Sequence, residues 1–131
     1  MTNHCQSIHL LAFIPIIILD FIAGGSNTRN KCFREALVPL DTWTTLSGII
    51  HGVNAFSISF VCEKGCETAH VFMLALNITW VVLGSITLNE SNECMNAIPF
   101  LWTMAIISLV LHLICCIVNT CYGFSKCCAR Y

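Results

Sequence analysis

Charge is what this chain has least of. Six Lys or Arg and seven Asp or Glu are distributed over 131 residues, so only 10% of the chain is charged, against about a quarter in an ordinary soluble domain. A water-soluble helical protein carries charge along every exposed face, and this composition leaves none for that purpose. A net charge of −1, with no dense run of Lys or Arg, excludes nucleic acid as the expected partner and gives no patch for anionic lipid. Catalytic signatures are missing as well. There is no nucleophile elbow, no metal-binding His-Glu pair and no glycine-rich phosphate loop, so neither an enzyme nor a cofactor is expected. Cys62, Cys66 and His70 recur every four residues, but Gly65 interrupts a helix there, and no metal site is expected.

What the chain does have is four apolar runs: Ile8 to Gly25, Thr42 to Val61, Ala69 to Leu88 and Ala97 to Val118. Crossing a hydrocarbon core of ~30 Å takes about 20 residues of helix. The expected fold is therefore all-α, a four-helix bundle integral to a membrane, made of two transmembrane hairpins within a single domain spanning 1–131. Ala23-Gly24-Gly25-Ser26 offers small residues for signal cleavage, yet Met1 to Leu10 holds no Lys or Arg. Without a basic leader region, the first run reads as a retained span.

The positive-inside rule does not orient the chain, because Arg29, Lys31 and Arg34 in the first loop balance Lys64, Lys126 and Arg130 on the other side. Cysteine placement does. Cys32 and Cys94 lie one apiece in the first and third gaps, which share a side, while Cys62, Cys66, Cys121, Cys127 and Cys128 gather on the other. Isolated loop cysteines suit a disulfide in an oxidising compartment, and crowded thiols beside helix ends suit the cytosol. Both termini are thus expected in the cytosol, in a plasma membrane or an endomembrane. A Cys32–Cys94 bond would clasp the two hairpins, worth about 4 kcal/mol in the chain-entropy view; two unpaired loop thiols are the alternative. Cys121, Cys127 and Cys128, near Lys126 and Arg130, are candidates for S-acylation. Asn89-Glu90-Ser91 is a glycosylation sequon close to the third span, with Asn89 as acceptor.

The hairpins share a plan of glycine, loop cysteine, proline and tryptophan, with Trp43 and Trp102 placed where headgroup-boundary tryptophans are expected. The stretch Asn77-Ile78-Thr79-Trp80-Val81-Val82-Leu83-Gly84, then Cys94 and Phe100-Leu101-Trp102, resembles the second hairpin of the four-span transmembrane protein 272-like family. The resemblance is carried by Trp80, Gly84, Cys94, Phe100 and Trp102 and implies the four-span fold; it implies no activity.

Within the runs, the polar residues are Asp20, His51, Asn54, Asn77 and His112. Such groups cost about 3 kcal/mol in hydrocarbon and turn toward other helices or a water-filled cavity. Counted from the outer boundary at 1.5 Å per residue, Asp20 falls about 8 Å deep, His51 about 14 Å, Asn54 and Asn77 about 17 Å, and His112 about 22 Å. Asp20 and His51 come within reach of one another, and the two asparagines share a level. One reading is a proton or cation path through Asp20, His51 and His112; the other is hydrogen bonding that fixes helix packing. Gly48 and Gly52, extended by Ala55 and Ser59, put a smooth face on the second span for close packing, within the bundle as the first expectation and against another chain as the alternative. The expected function is that of a structural, scaffolding or accessory multi-pass protein. Its partners are the lipid bilayer and either a further copy of itself or a larger membrane protein. A small oligomeric channel is the alternative.

Overall fold

The computed structural model describes the backbone of residues 2–25, 37–64 and 67–128, and the side chains of 13–25, 37–56 and 70–121. The described residues form five helices: α1 (Thr2–Gly25), α2 (Leu40–Lys64), α3 (Glu67–Glu90), the single turn α4 (Cys94–Ala97) and α5 (Pro99–Cys128). No strand occurs among the described residues. The fold is all-α.

Helix boundaries follow from local chemistry. Trp43 donates its backbone N–H to the Pro39 carbonyl at 2.9 Å, so proline stands at the entry to α2, where its missing N–H leaves no gap in the ladder. Asp41 sits in the first turn of α2, the favourable end of the helix dipole for a carboxylate. Its Oδ1 accepts the Thr42 backbone N–H at 2.7 Å. The expected fourth span begins at Ala97, but the chain turns a corner at Ile98, whose φ of −143° and ψ of 70° are not helical. The long helix opens one residue later on Pro99. Ile98 donates to the Cys94 carbonyl at 2.9 Å and accepts from Trp102 at 3.1 Å, linking α4 to α5 through the corner.

The expected spans 8–25, 42–61 and 69–88 lie inside α1, α2 and α3. Two stretches are long and apolar enough to cross a membrane, His70–Glu90 and Pro99–Cys121, and Phe13–Gly25 is a shorter apolar stretch. α2 is more polar, with Asp41, His51, Asn54 and six Ser or Thr in its 25 residues.

The helices pack as two pairs, α1 on α2 and α3 on α5, and the pairs meet chiefly where α2 touches α3 and α5. Glycine sets how closely they approach. A Cβ added to Gly24 would run into the Thr45 side chain and stand 2.7 Å from the Asp41 carbonyl oxygen, and one added to Gly48 would meet the Asp20 Cβ at 3.2 Å and the Ile17 carbonyl oxygen at 3.4 Å. Each helix of the first pair thus offers a glycine to the other's backbone. Gly52 is looser, with only Ile17 Cδ1 at 3.9 Å, and Ala55 is buried; the Ser59 side chain lies outside the described residues. At Gly84 of α3, a Cβ would collide with the indole of Trp43.

Two kinds of interior result. The end formed by the close of α1 and α3 and the start of α2 and α5 is apolar, built on Ala23, Leu40, Trp43, Leu88, Leu101 and Met104. The middle is polar. Asp20, Thr44, Ser47, His51, Asn54, Asn77, Ser108 and His112 are all buried, while Ile18, Phe56, Phe72, Val82, Val110 and Ile117 are among many large apolar side chains that face outward.

Gly84→Ala is expected to lower the stability in mild detergent by about 1–3 kcal/mol, since the fully enclosed Trp43 ring has nowhere to retreat. Gly52→Ala should leave it unchanged or raise it by up to about 1 kcal/mol. Loss of helical circular dichroism on titration with SDS measures both; equal effects would contradict the packing described.

Candidate functional site

The polar middle is one connected cluster drawn from all four long helices. Helix spacing accounts for its membership. On α5, Leu101, Met104, Ala105, Ser108 and His112 recur at three or four residues and form the buried face. On α2 the corresponding line runs through Leu40, Trp43, Ser47, His51 and Asn54. The described part of α1 contributes Asp20, and α3 contributes Asn77.

Asn54 and Asn77 exchange hydrogen bonds. Asn77 Nδ2 donates to Asn54 Oδ1 at 2.8 Å, and Asn54 Nδ2 donates to Asn77 Oδ1 at 3.0 Å. Asn77 Nδ2 also donates to the Met73 carbonyl at 2.8 Å. Asn77 Oδ1 lies 2.9 Å from Nδ1 of His112, so that ring nitrogen carries the hydrogen and donates it. The His112 ring stacks on His51, centroids 4.0 Å apart and planes 12° from parallel. His51 Nε2 stands 3.8 Å from Asp20 Oδ2, and the hydroxyl of Ser108 donates to Asp20 Oδ1. The five polar residues singled out in the sequence therefore meet in one place.

Their estimated depths, spread over about 14 Å, do not describe this arrangement. α2 starts two residues earlier and α5 two residues later than the expected spans. These shifts deepen His51 and raise His112 by about 3 Å each, and side-chain reach closes much of the remainder.

Aromatic rings border the cluster. Trp43 and Trp80 stack with centroids 6.0 Å apart, Trp43 meets His112 edge-on at 6.3 Å, and Phe13 lies 5.9 Å from the His51 ring. Trp80 Nε1 donates to Ser47 Oγ at 2.7 Å, and Ser47 Oγ donates in turn to the Trp43 carbonyl at 2.9 Å. Trp43, expected at the headgroup boundary, is instead enclosed completely, because Gly84 leaves the space its indole fills. Ser108, Ser47 and the Trp43–Trp80 stack are members that sequence reasoning missed. Ser108 was legible as the residue one turn before His112; nothing local marked the stack.

Some buried atoms are left over. Asp20 Oδ2, both ring nitrogens of His51, Nε2 of His112 and Nε1 of Trp43 have no hydrogen-bond partner among the described residues. No group of three or more His, Cys, Asp or Glu is arranged to hold a metal ion among the described residues.

The other expected sites lie apart from this cluster. Cys94 is buried at the apolar end, and Cys32 lies outside the described residues. Asn89 is exposed on the last turn of α3, whereas the sequon's Ser91 is buried. Cys121 is exposed on α5; the side chains of Cys127 and Cys128 lie outside the described residues. No family model, curated protein or solved structure matches the chain.

Replacing either asparagine by leucine should destabilise the protein, Asn77→Leu more than Asn54→Leu, because Asn77 also bonds Met73 and His112. A double-mutant cycle between them should return a coupling energy of about 1 kcal/mol. A coupling near zero would mean that the reciprocal bonds do not hold α2 to α3.

Proposed function

We propose that this chain is an integral membrane protein in which α1, α2, α3 and α5 all cross the bilayer, and that its role is structural, scaffolding or accessory. The observation that carries the reading is the reversal of polarity between inside and outside. Asp20, His51, Asn54, Asn77 and His112 are enclosed, and the outward faces of the helices carry Ile, Val, Leu and Phe. Water rewards the opposite distribution, whereas lipid rewards this one. Hydroxyl groups support the same view. Thr44, Thr45, Ser47, Thr79, Ser85, Thr103 and Thr120 each donate to the carbonyl four residues earlier, which satisfies a hydroxyl where no water is at hand.

The accessory role rests on how the polar groups are spent. The asparagines bond one another, Trp80 bonds Ser47, and the apolar cluster around Leu40, Trp43 and Leu101 closes one end of the interior. Such a centre fixes helix packing. Its outer surface is left for lipid, for another copy or for a larger membrane partner. In this reading both termini are cytosolic, and the likeness to the transmembrane protein 272-like family extends to membership. The proposed disulfide joins Cys94, buried at the apolar end, to Cys32, which would tie the first loop to the third on the outer face.

A proton or cation channel through Asp20, His51 and His112 is the second reading, favoured by the unpartnered atoms on these three side chains. Reconstituted liposomes distinguish the two. The accessory role predicts proton and cation flux no greater than in protein-free vesicles. A flux abolished by Asp20→Asn or His51→Ala would establish the channel. The membrane placement is tested separately by alkaline carbonate washing, which should leave the protein in the membrane pellet; release into the supernatant would refute four spans.

A further inference from the structure

We infer that Asp20 and His51 together form a binding site for one exchangeable proton, held between Oδ2 of the carboxyl and Nε2 of the imidazole. The two atoms are 3.8 Å apart, both side chains are fully enclosed, and neither atom has a hydrogen-bond partner among the described residues. An acceptor and a ring nitrogen left facing one another at this distance can share one hydrogen after a small side-chain rotation. Asp20 Oδ1 is already occupied by the Ser108 hydroxyl, so the unsatisfied oxygen is the one turned to His51.

Charge balance decides the number of protons. With Asp20 ionised and His51 neutral, the pair would carry one negative charge in an interior where an uncompensated charge is costly. The six Lys and Arg of the chain stand at positions 29, 31, 34, 64, 126 and 130, and none lies in the stretches 13–25, 40–56 and 70–121 that enclose the pair. Among the described residues, the polar groups facing it from other helices are Ser108 and His112 of α5, with Asn77 of α3 beyond His112. None of these supplies a fixed positive charge. One proton neutralises the pair, whether it rests as a carboxylic acid beside a neutral imidazole or as a carboxylate beside an imidazolium.

His112 limits the site to that one proton. Its Nδ1–H is committed to Asn77 Oδ1, which satisfies a neutral ring. Its face lies 4.0 Å from that of His51, so a second positive charge there would meet the first at contact distance. The site differs from a conducting path in that its proton is held by the pair and exchanges with solvent without net transfer across the protein. It rests on the membrane reading only through the apolar surroundings that make a bare carboxylate costly.

The test is magnetic resonance of the full chain in lipid nanodiscs, with carboxyl-13C aspartate and ring-15N histidine. The sequence holds two aspartates and five histidines, and Asp41→Asn together with backbone correlation from His51 to Gly52 assigns the signals. The expected result is one proton on the pair at neutral pH. Raising the pH should remove it in a single step seen at both residues at the same pH, with His112 neutral throughout. Asp20→Asn should abolish that step at His51; should this variant fail to fold, the wild-type spectra still decide. Asp20 ionised beside a neutral His51 at neutral pH, or separate steps at the two residues, would overturn the site. A chain released by carbonate that still shows the common step would sink the membrane reading and leave the proton site standing.

Discussion

Polar side chains enclosed among apolar helix faces have to find partners on one another, and most of the structure answers to that requirement. A buried amide without a partner costs more than its bond would contribute if made. Asn54 and Asn77 therefore sit opposite one another with both amides engaged, and this fixes the register of α2 on α3. Trp80 takes the hydroxyl of Ser47, and Ser108 takes an oxygen of Asp20, so α3 and α5 are keyed to α2 and α1 in the same manner. Dispersion along the apolar faces holds helices together without choosing a register. The hydrogen bonds choose it.

Steric fit supplies the second constraint. The first helix pair is close because each member presents a glycine to the other, Gly24 toward Asp41 and Thr45, Gly48 toward Ile17 and Asp20. That closeness brings the Asp20 carboxyl up to α2, where His51 meets it. In the second pair Gly84 makes room for Trp43, a residue of α2, so that one indole touches both helices of that pair: it lies over Gly84 and stacks on Trp80 of α3, and it meets His112 of α5. The polar centre and the glycines are thus parts of one arrangement.

How much of this could be read in advance differs from residue to residue. Helical class and approximate limits were legible because apolar runs bounded by Pro39, Gly65 and Pro99 leave few other choices. The five central polar residues were also legible, since each interrupts an apolar run. Their mutual arrangement was less so. Counting depth along a single helix ignores side-chain reach and small shifts in helix starts, and it separated His51 from His112 when their rings are stacked. Trp43 was misplaced for a different reason: its position near a helix start suggested a headgroup contact, while the cavity that encloses it depends on Gly84, forty-one residues further on. Long-range complementarity of that sort leaves no local mark.

The groove on α2 carries a consequence for assembly. Gly48 is filled by α1, so the closest-fitting part of the groove is already used in packing the first helix pair. In the proposed membrane setting, another polypeptide approaching from the bilayer would meet branched and aromatic side chains such as Ile106, Val110, Phe72 and Val82, which hold helix axes about 8–10 Å apart. In that setting lipid tails would compete for those same faces on nearly equal terms. Recognition at that surface would depend on the shape of particular side chains, and would form and dissolve readily as membrane composition changes.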